Sequence, residues 1–289
     1  MLFFTLITMK FLSTLFLAAT AAFSISAAEP TDTVTIFMIG DSTMANKPLA
    51  DENQERGWGQ MLPLALQGPV KVDNHAVNGS STKSFIDEGR WDKVVSLIRP
   101  GDYVVIQFGH NDEKSGKPKK YTVPGGSFDD NLRKFVNEAR QKGAQPILMN
   151  SIVRRNFPVD TAAVHIDRDD NPPIGFENVK HAPEGKLLVD THKAYLDAPR
   201  RVARELAVPF VEMNTLTHNL VQGLGAEKSR ELFMWIPEGK YAFCPKGKVD
   251  NTHLNIKGAT IVSGIAARAM AEAVPSLRQY IVTEYNYTY

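Results

Sequence analysis

Short apolar runs, largely without polar–apolar alternation, recur along this chain with longer helical patterns between them. The runs fall at 34–39, 70–74, 103–107, 146–149 and 208–212, and the helical patterns at 58–66, 91–98, 128–142, 192–206 and 257–273. Strands that are apolar on both faces need cover on both sides, and helices between successive strands supply it through crossover connections. The expected fold is therefore α/β, a five-stranded parallel sheet in a three-layer α/β/α arrangement. On such sheets ligands bind beyond the carboxyl ends of the strands. Chemistry is to be sought in the loops that follow 34–39, 70–74 and 103–107.

The first residues read as an export signal. Lys10 is the only charge before Glu29, an apolar run from Phe11 to Ala22 follows it, and Ser26-Ala27-Ala28 offers small residues for cleavage. The run is short for a membrane span, although an uncleaved anchor is the alternative reading. Residues 1–28 are expected to be a signal peptide and 29–289 a single domain, exported to the periplasm or the exterior. Removing those 28 of 289 residues takes away one of 33 basic residues and none of the 32 acidic ones. The remaining chain is balanced in charge and has no electrostatic reason to seek nucleic acid or, once the signal is gone, a membrane. Cys244 is the lone cysteine, so no intrachain disulfide forms.

Four short segments carry the chemistry. Gly40-Asp41-Ser42 closes the first strand, Gly79 lies past the second, Gly109-His110-Asn111-Asp112 follows the third, and Asp250-Asn251-Thr252-His253 precedes the last helix. A serine hydroxyl attacks a carbonyl only when a base takes its proton, and the tetrahedral oxyanion needs fixed donors. Ser42 is the candidate nucleophile. Its own N–H, that of Gly79 and the Asn111 amide are candidate oxyanion donors, while His253 with Asp250 is the candidate acid–base pair. Each piece alone is ambiguous. A Gly-Asp-Ser turn also serves as a helix cap, glycine and Asn-Asp mark ordinary turns, and an Asp with a His three residues on recurs by chance. A second acid–histidine pair, Asp190-Thr191-His192, heads a helix away from any serine-bearing strand turn. Clustered His/Cys metal ligands, Gly-x-Ser-x-Gly and a glycine-rich phosphate loop are all missing from the sequence, so neither a metal nor a cofactor is expected.

Taken together these residues resemble the SGNH, or GDSL, hydrolase superfamily, which draws Ser, Gly, Asn and His from four sequence blocks in this order. Gly40-Asp41-Ser42-Thr43-Met44, Gly57-Trp58-Gly59, Ala76-Val77-Asn78-Gly79, Gln107-Phe108-Gly109-His110-Asn111-Asp112 and Asp250-Asn251-Thr252-His253-Leu254-Asn255 look most like its rhamnogalacturonan acetylesterase branch. The resemblance implies a flavodoxin-like fold and removal of acetyl groups from pectin-type polysaccharide, with an acetylated poly- or oligosaccharide as the partner. It leaves open an acetylxylan or other carbohydrate acetylesterase, a lipase or thioesterase, and a silent glycan-binding protein. One departure is the lack of the paired cysteines some secreted relatives carry.

Substrate contacts are less determined. Trp58, Trp91 and Trp235 are candidates to stack on sugar rings, though large aromatics more often fill cores. Arg154 and Arg155 follow the fourth strand and suit uronate carboxylates if they face the rim. Stretches 114–128 and 156–184 are expected to overhang the active rim.

Overall fold

The structure, a computed structural model, describes residues 33–157 and 187–282. The expected signal peptide and most of stretch 156–184 lie outside the described residues. Five strands, β1 (Val34–Gly40), β2 (Val70–Asn74), β3 (Tyr103–Gln107), β4 (Gln145–Met149) and β5 (Phe210–Val211), form one sheet in the order β2-β1-β3-β4-β5. Every neighbouring pair is parallel. This is the three-layer α/β/α fold expected from the sequence. The chain direction across the sheet reverses at β1, so the loops leaving β1 and β3 part there and open a crevice.

Successive side chains of each strand enter different cores. Ile36, Met38, Val105, Ile147 and Met149 pack in one apolar cluster, while Phe37, Ile39, Val104, Ile106 and Leu148 pack in the other. That two-sided burial is why β1, β3 and β4 are almost wholly apolar, whereas the edge strand β2 (Val-Lys-Val-Asp-Asn) is only partly buried. Helices α2 (Thr82–Asp87), α3 (Arg90–Leu97), α4 (Ser127–Gln141) and α5 (Ala194–Glu205) bring apolar residues to the second cluster. In α4 these are Phe128, Leu132, Phe135, Val136 and Ala139, a spacing that makes one helical face. Helices α1 (Trp58–Met61), α6 (Met213–Lys228) and α7 (Ile256–Ala273) cover the other face. Helix α7 starts on an Asn255 cap, whose side chain accepts the Gly258 N–H at 2.9 Å. A Cβ on Gly258 would stand 2.0 Å from the Leu232 carbonyl oxygen, so only glycine lets the helix enter here.

Several elements differ from the sequence expectation. The pattern over 58–66 is one turn of α1 followed by a tighter 3-10 turn at Leu62–Ala65, because Pro63 lacks an N–H for a continuing α ladder. The fifth strand is two residues long, and Glu212 already caps α6. A hairpin of β6 (Phe233–Ile236) and β7 (Lys248–Leu254) was not expected. Asp250 and His253, which precede the last helix, lie on β7. Pairing in this hairpin jumps from Met234–Asp250 to Phe233–Leu254, so residues 251–253 bulge from the ladder.

Candidate active site

Ser42 leaves β1 in a tight turn. Asp41 holds it: its Oδ1 accepts the Thr43 N–H at 2.9 Å and the Thr43 hydroxyl at 2.8 Å, while its carbonyl accepts the Ala45 N–H. Glycines let other backbone close in around the turn. A Cβ on Gly57 would stand 2.2 Å from the Ala45 carbonyl oxygen, and one on Gly40 2.7 Å from that of Gln107.

The β7 bulge meets this turn. His253 Nε2 is 2.8 Å from Ser42 Oγ, and His253 Nδ1 is 2.7 Å from Asp250 Oδ2. Asp250 Oδ1 accepts the N–H groups of Thr252 at 2.8 Å and His253 at 2.9 Å. Those two bonds wrap the bulge around the carboxylate and turn the imidazole back toward Ser42. A regular strand would send residues three apart to opposite faces. Burial disfavours both charges, but their proximity outweighs it. His253, its hydrogen bond and Lys248 hold Asp250 well below the usual carboxylate range, and Asp250, then Glu55, raise His253 above 6.5.

On the other side of Ser42, the loops after β2 and β3 are tied together. The Asn111 amide donates to the Ser80 carbonyl at 2.9 Å and retains a second N–H. Gly79 has φ +73°, the left-handed region that glycine enters without strain. Among the described residues the N–H groups of Ser42 and Gly79 have no acceptor. Fully buried Asp112 joins the same two loops, accepting the Thr82 N–H at 3.0 Å, the Thr82 hydroxyl and, at 2.8 Å, the Thr122 hydroxyl. Burial pushes Asp112 up to about 7 against those bonds, and burial also raises Asp41. Lys120, from stretch 114–128, lies over the loop, its ammonium 3.0 Å from where a Gly79 Cβ would stand.

The structure thus brings Ser42, His253 and Asp250 into one hydrogen-bonded line and joins the Gly79 and Asn111 loops beside it. Of the expected sugar-binding residues, Trp58, Trp91 and Arg155 are buried in the fold, while Arg154 and Trp235 are half-buried. Trp58 is fully buried, donating its indole N–H to Gln107 Oε1 at 2.8 Å, so its ring belongs to the core. Trp91 is likewise buried, donating to Glu138. Arg155 is also fully buried. Its N–H donates to the Asn251 carbonyl at 2.8 Å, its guanidinium to Asn251 Oδ1 at 3.0 Å, and the same group stacks over Trp235. Arg155 therefore braces the bulge that carries Asp250 and His253. The guanidinium of Arg154 is engaged by Glu113, Thr191 and the His110 carbonyl, all inside the fold. Asp190 accepts two backbone N–H groups ahead of α5, while the buried His192 ring turns to Glu113 and the Ile152 carbonyl. This pair is an interior brace. Sequence reasoning missed Lys47, Glu55 and Lys248, which surround the acid–base arm, because no motif marks them.

Comparison with known proteins shows the family of this chain. The GDSL-like lipase/acylhydrolase family model matches residues 38–261. The chain is 34% identical to the rhamnogalacturonan acetylesterase RhgT of Bacillus subtilis (strain 168), over 86% of this chain and 95% of that protein. It is 25% identical to a rhamnogalacturonan acetylesterase of Emericella nidulans, over 82% of this chain and 84% of that one. Among solved structures, the YxiM protein of Bacillus subtilis superposes with a TM-score of 0.61 at 22% identity. That match covers 84% of this chain and 58% of the other, and speaks for the fold alone.

Proposed function

Since the chain belongs to the GDSL-like lipase/acylhydrolase family, falls with its rhamnogalacturonan acetylesterase branch and is a carboxylic ester hydrolase, we propose that it deacetylates rhamnogalacturonan through a Ser42–His253–Asp250 triad. The observation that carries the mechanism is the continuous line from Asp250 Oδ2 through the imidazole to Ser42 Oγ, with separations of 2.7 and 2.8 Å. His253 takes the Ser42 proton at Nε2 as Oγ attacks the acetyl carbonyl. Nδ1–H donates to Asp250, which fixes the tautomer and offsets the imidazolium charge as it forms. The N–H groups of Ser42 and Gly79 and the free N–H of the Asn111 amide receive the oxyanion. The tetrahedral intermediate collapses, His253 gives its proton to the departing sugar oxygen, and the acetyl group stays on Oγ. Water, deprotonated by the same imidazole, then releases acetate.

The choice of rhamnogalacturonan rests on relatives that carry this activity in their names. Export rests on the N-terminal sequence pattern, with residues 1–28 as the signal and the periplasm or exterior as the destination. Acetate release from acetylated rhamnogalacturonan, acetylated xylan and an aryl acetate in parallel tests the substrate, and Ser42→Ala tests the mechanism. The expected result is preference for rhamnogalacturonan and a loss on the order of 10⁵- to 10⁶-fold in the variant, with unchanged thermal unfolding. Preference for xylan overturns the substrate. Residual turnover within tenfold of the parent in Ser42→Ala overturns the nucleophile.

A further inference from the structure

Behind the triad runs a second line of charges with a catalytic element at each end. Lys248, two residues before Asp250 on β7, places its ammonium 3.0 Å from Asp250 Oδ2 and 3.0 Å from Glu55 Oε2. The other oxygen of Glu55 is 2.8 Å from the ammonium of Lys47, which also donates to Asn78 Oδ1 at 2.5 Å. Asn78 immediately precedes Gly79. The line therefore reads Gly79–Asn78, Lys47, Glu55, Lys248, Asp250, His253, and closes on Ser42.

These groups are held where they are. The Lys47 side chain is 3% exposed, and Gln60 of α1 clasps its backbone from both sides, accepting the Lys47 N–H and donating to its carbonyl at 3.0 Å each. Glu55 pairs with Asn255 in an isolated bridge, and the next N–H, Arg56, donates to the Leu254 carbonyl at 3.0 Å. The segment after the nucleophile turn is thus sewn to the strand that carries His253.

Stability is a poor explanation for such an arrangement. Exposed ion pairs contribute little, and buried ones are often matched or exceeded by apolar packing, because two charges must leave water. Position explains it better. The oxyanion loop and the acid–base bulge come from opposite ends of the chain, share no strand pairing, and must register with Ser42 to a fraction of an ångström.

We propose that Lys47, Glu55 and Lys248 are positioning residues that lock the Gly79 loop and the Asp250–His253 bulge into one register around Ser42. The proposal rests on the triad reading above. Its charges also reach the imidazole: among the influences on His253, Glu55 favours the cation and Lys47 opposes it, while His253 and the two lysines draw Glu55 down to about 2 against burial. The charged and titratable groups around His253 are Asp250 and Lys248 from β7, Lys47 and Glu55 from the segment after β1, and Asp41 and His110 from the β1 and β3 turns.

The test is the pH dependence of aryl acetate hydrolysis by Glu55→Gln, Lys47→Gln and the double variant, alongside Ser42→Ala and His253→Ala. The aryl ester removes any dependence on the polysaccharide. A break in the line is expected to lower kcat about 10- to 100-fold in each variant, with KM changed less than threefold. The acid limb of kcat/KM should move down by about half a pH unit or more in Glu55→Gln, up in Lys47→Gln, and little in the double variant. Opposite shifts are not a signature of general loosening. If either single variant fails to fold, Lys248→Gln, at a partly exposed side chain, cuts the same line and is expected to lower kcat similarly. Folded single variants with kcat within twofold of the parent and unmoved acid limbs overturn the proposal. If Ser42→Ala and His253→Ala stay active, the triad reading itself has failed instead.

Discussion

Asp112 and Asp250 are both buried carboxylates beside the reacting centre, and they are held in opposite ways. Asp112, on the oxyanion side, faces neutral donors only, the Thr82 N–H and two threonine hydroxyls, and burial lifts it to about 7. Asp250, on the imidazole side, is also penalised by burial but faces His253 and Lys248, and stays well below the ordinary carboxylate range. Asp41 follows Asp112, raised by burial, and Glu55 follows Asp250, drawn down to about 2. One half of the site is thus fixed mainly by backbone turns and neutral hydrogen bonds, with the Lys47 ammonium on Asn78 as its link to the other half, which is held by ionic contacts. The division suits the chemistry. An oxyanion hole needs donors that do not rearrange as charge develops, whereas a base that becomes a cation each cycle needs a standing counter-charge.

The two halves should therefore fail differently. Asp250→Asn removes the counter-charge and leaves an amide that competes over the imidazole tautomer, so kcat should drop on the order of 10⁴-fold. Asn111→Ala removes one donor of several and should cost about 10²- to 10³-fold in kcat. Steady-state kinetics on an aryl acetate compares the two directly. Equal losses would abolish the distinction drawn here between charge-held and donor-held halves.

A smaller effect follows from the raised His253. Burial works against the imidazolium, but Asp250 and Glu55 outweigh it, so the ring keeps its proton above pH 6.5. Only the neutral ring can accept the Ser42 proton, and kcat/KM should rise with pH through a midpoint above 6.5. For folding the sign is reversed. A group whose pKa is raised in the folded state contributes stability that is complete below 6.5 and is lost as pH climbs through the folded value. Activity and the stability contributed by His253 should move in opposite directions across the same interval. A midpoint at or below 6.5 would mean that the ionic half does not hold the imidazole as described.

How legible each half was in the sequence follows the same division. The strands were readable because both faces of the sheet are buried, and the Ser42 and Asn111 turns follow directly from the strand ends. The oxyanion half is local backbone geometry written in glycines and short polar side chains. The ionic half is not local. Asp250 and His253 could be named as a pair, but the hairpin bearing them could not, since Asp-Asn-Thr-His has no strand pattern and the bulge removes even the period of two. Lys47, Glu55 and Lys248 are common residue types whose meaning lies in separations along the chain that no spacing rule covers. Arg155 and Trp58 show the converse error. Their residue types suit sugar recognition, yet both are fully buried, because an Asn251 and a Gln107 side chain give their polar atoms partners inside the fold. Helix α6 escaped because Gly223 and Gly225 dilute its pattern, and Gly225 breaks the helical geometry at φ +74°.

The mildest test addresses Asp112. Its pKa is raised from 3.8 to about 7, so the folded protein holds a proton there that the unfolded chain has released. Stability from this group is fully present below about pH 3.8 and is lost as pH rises to 7, with a slope of at most about 1.4 kcal/mol per pH unit. Asp250 and Glu55, lowered in the folded state, contribute in the other sense, their stability being lost only as pH falls from the ordinary carboxylate range toward their folded values. The two windows barely overlap. Asp112→Asn keeps an acceptor for Thr82 and Thr122 and cannot ionise, so its turnover at neutral pH should stay within a few-fold of the parent. Its urea-unfolding free energy should decline less between pH 4.5 and 7.5 than the parent's, since the other titrating groups are common to both. Parallel declines in the two proteins would show that Asp112 is already ionised at the lower pH, and would place it with the charge-held carboxylates.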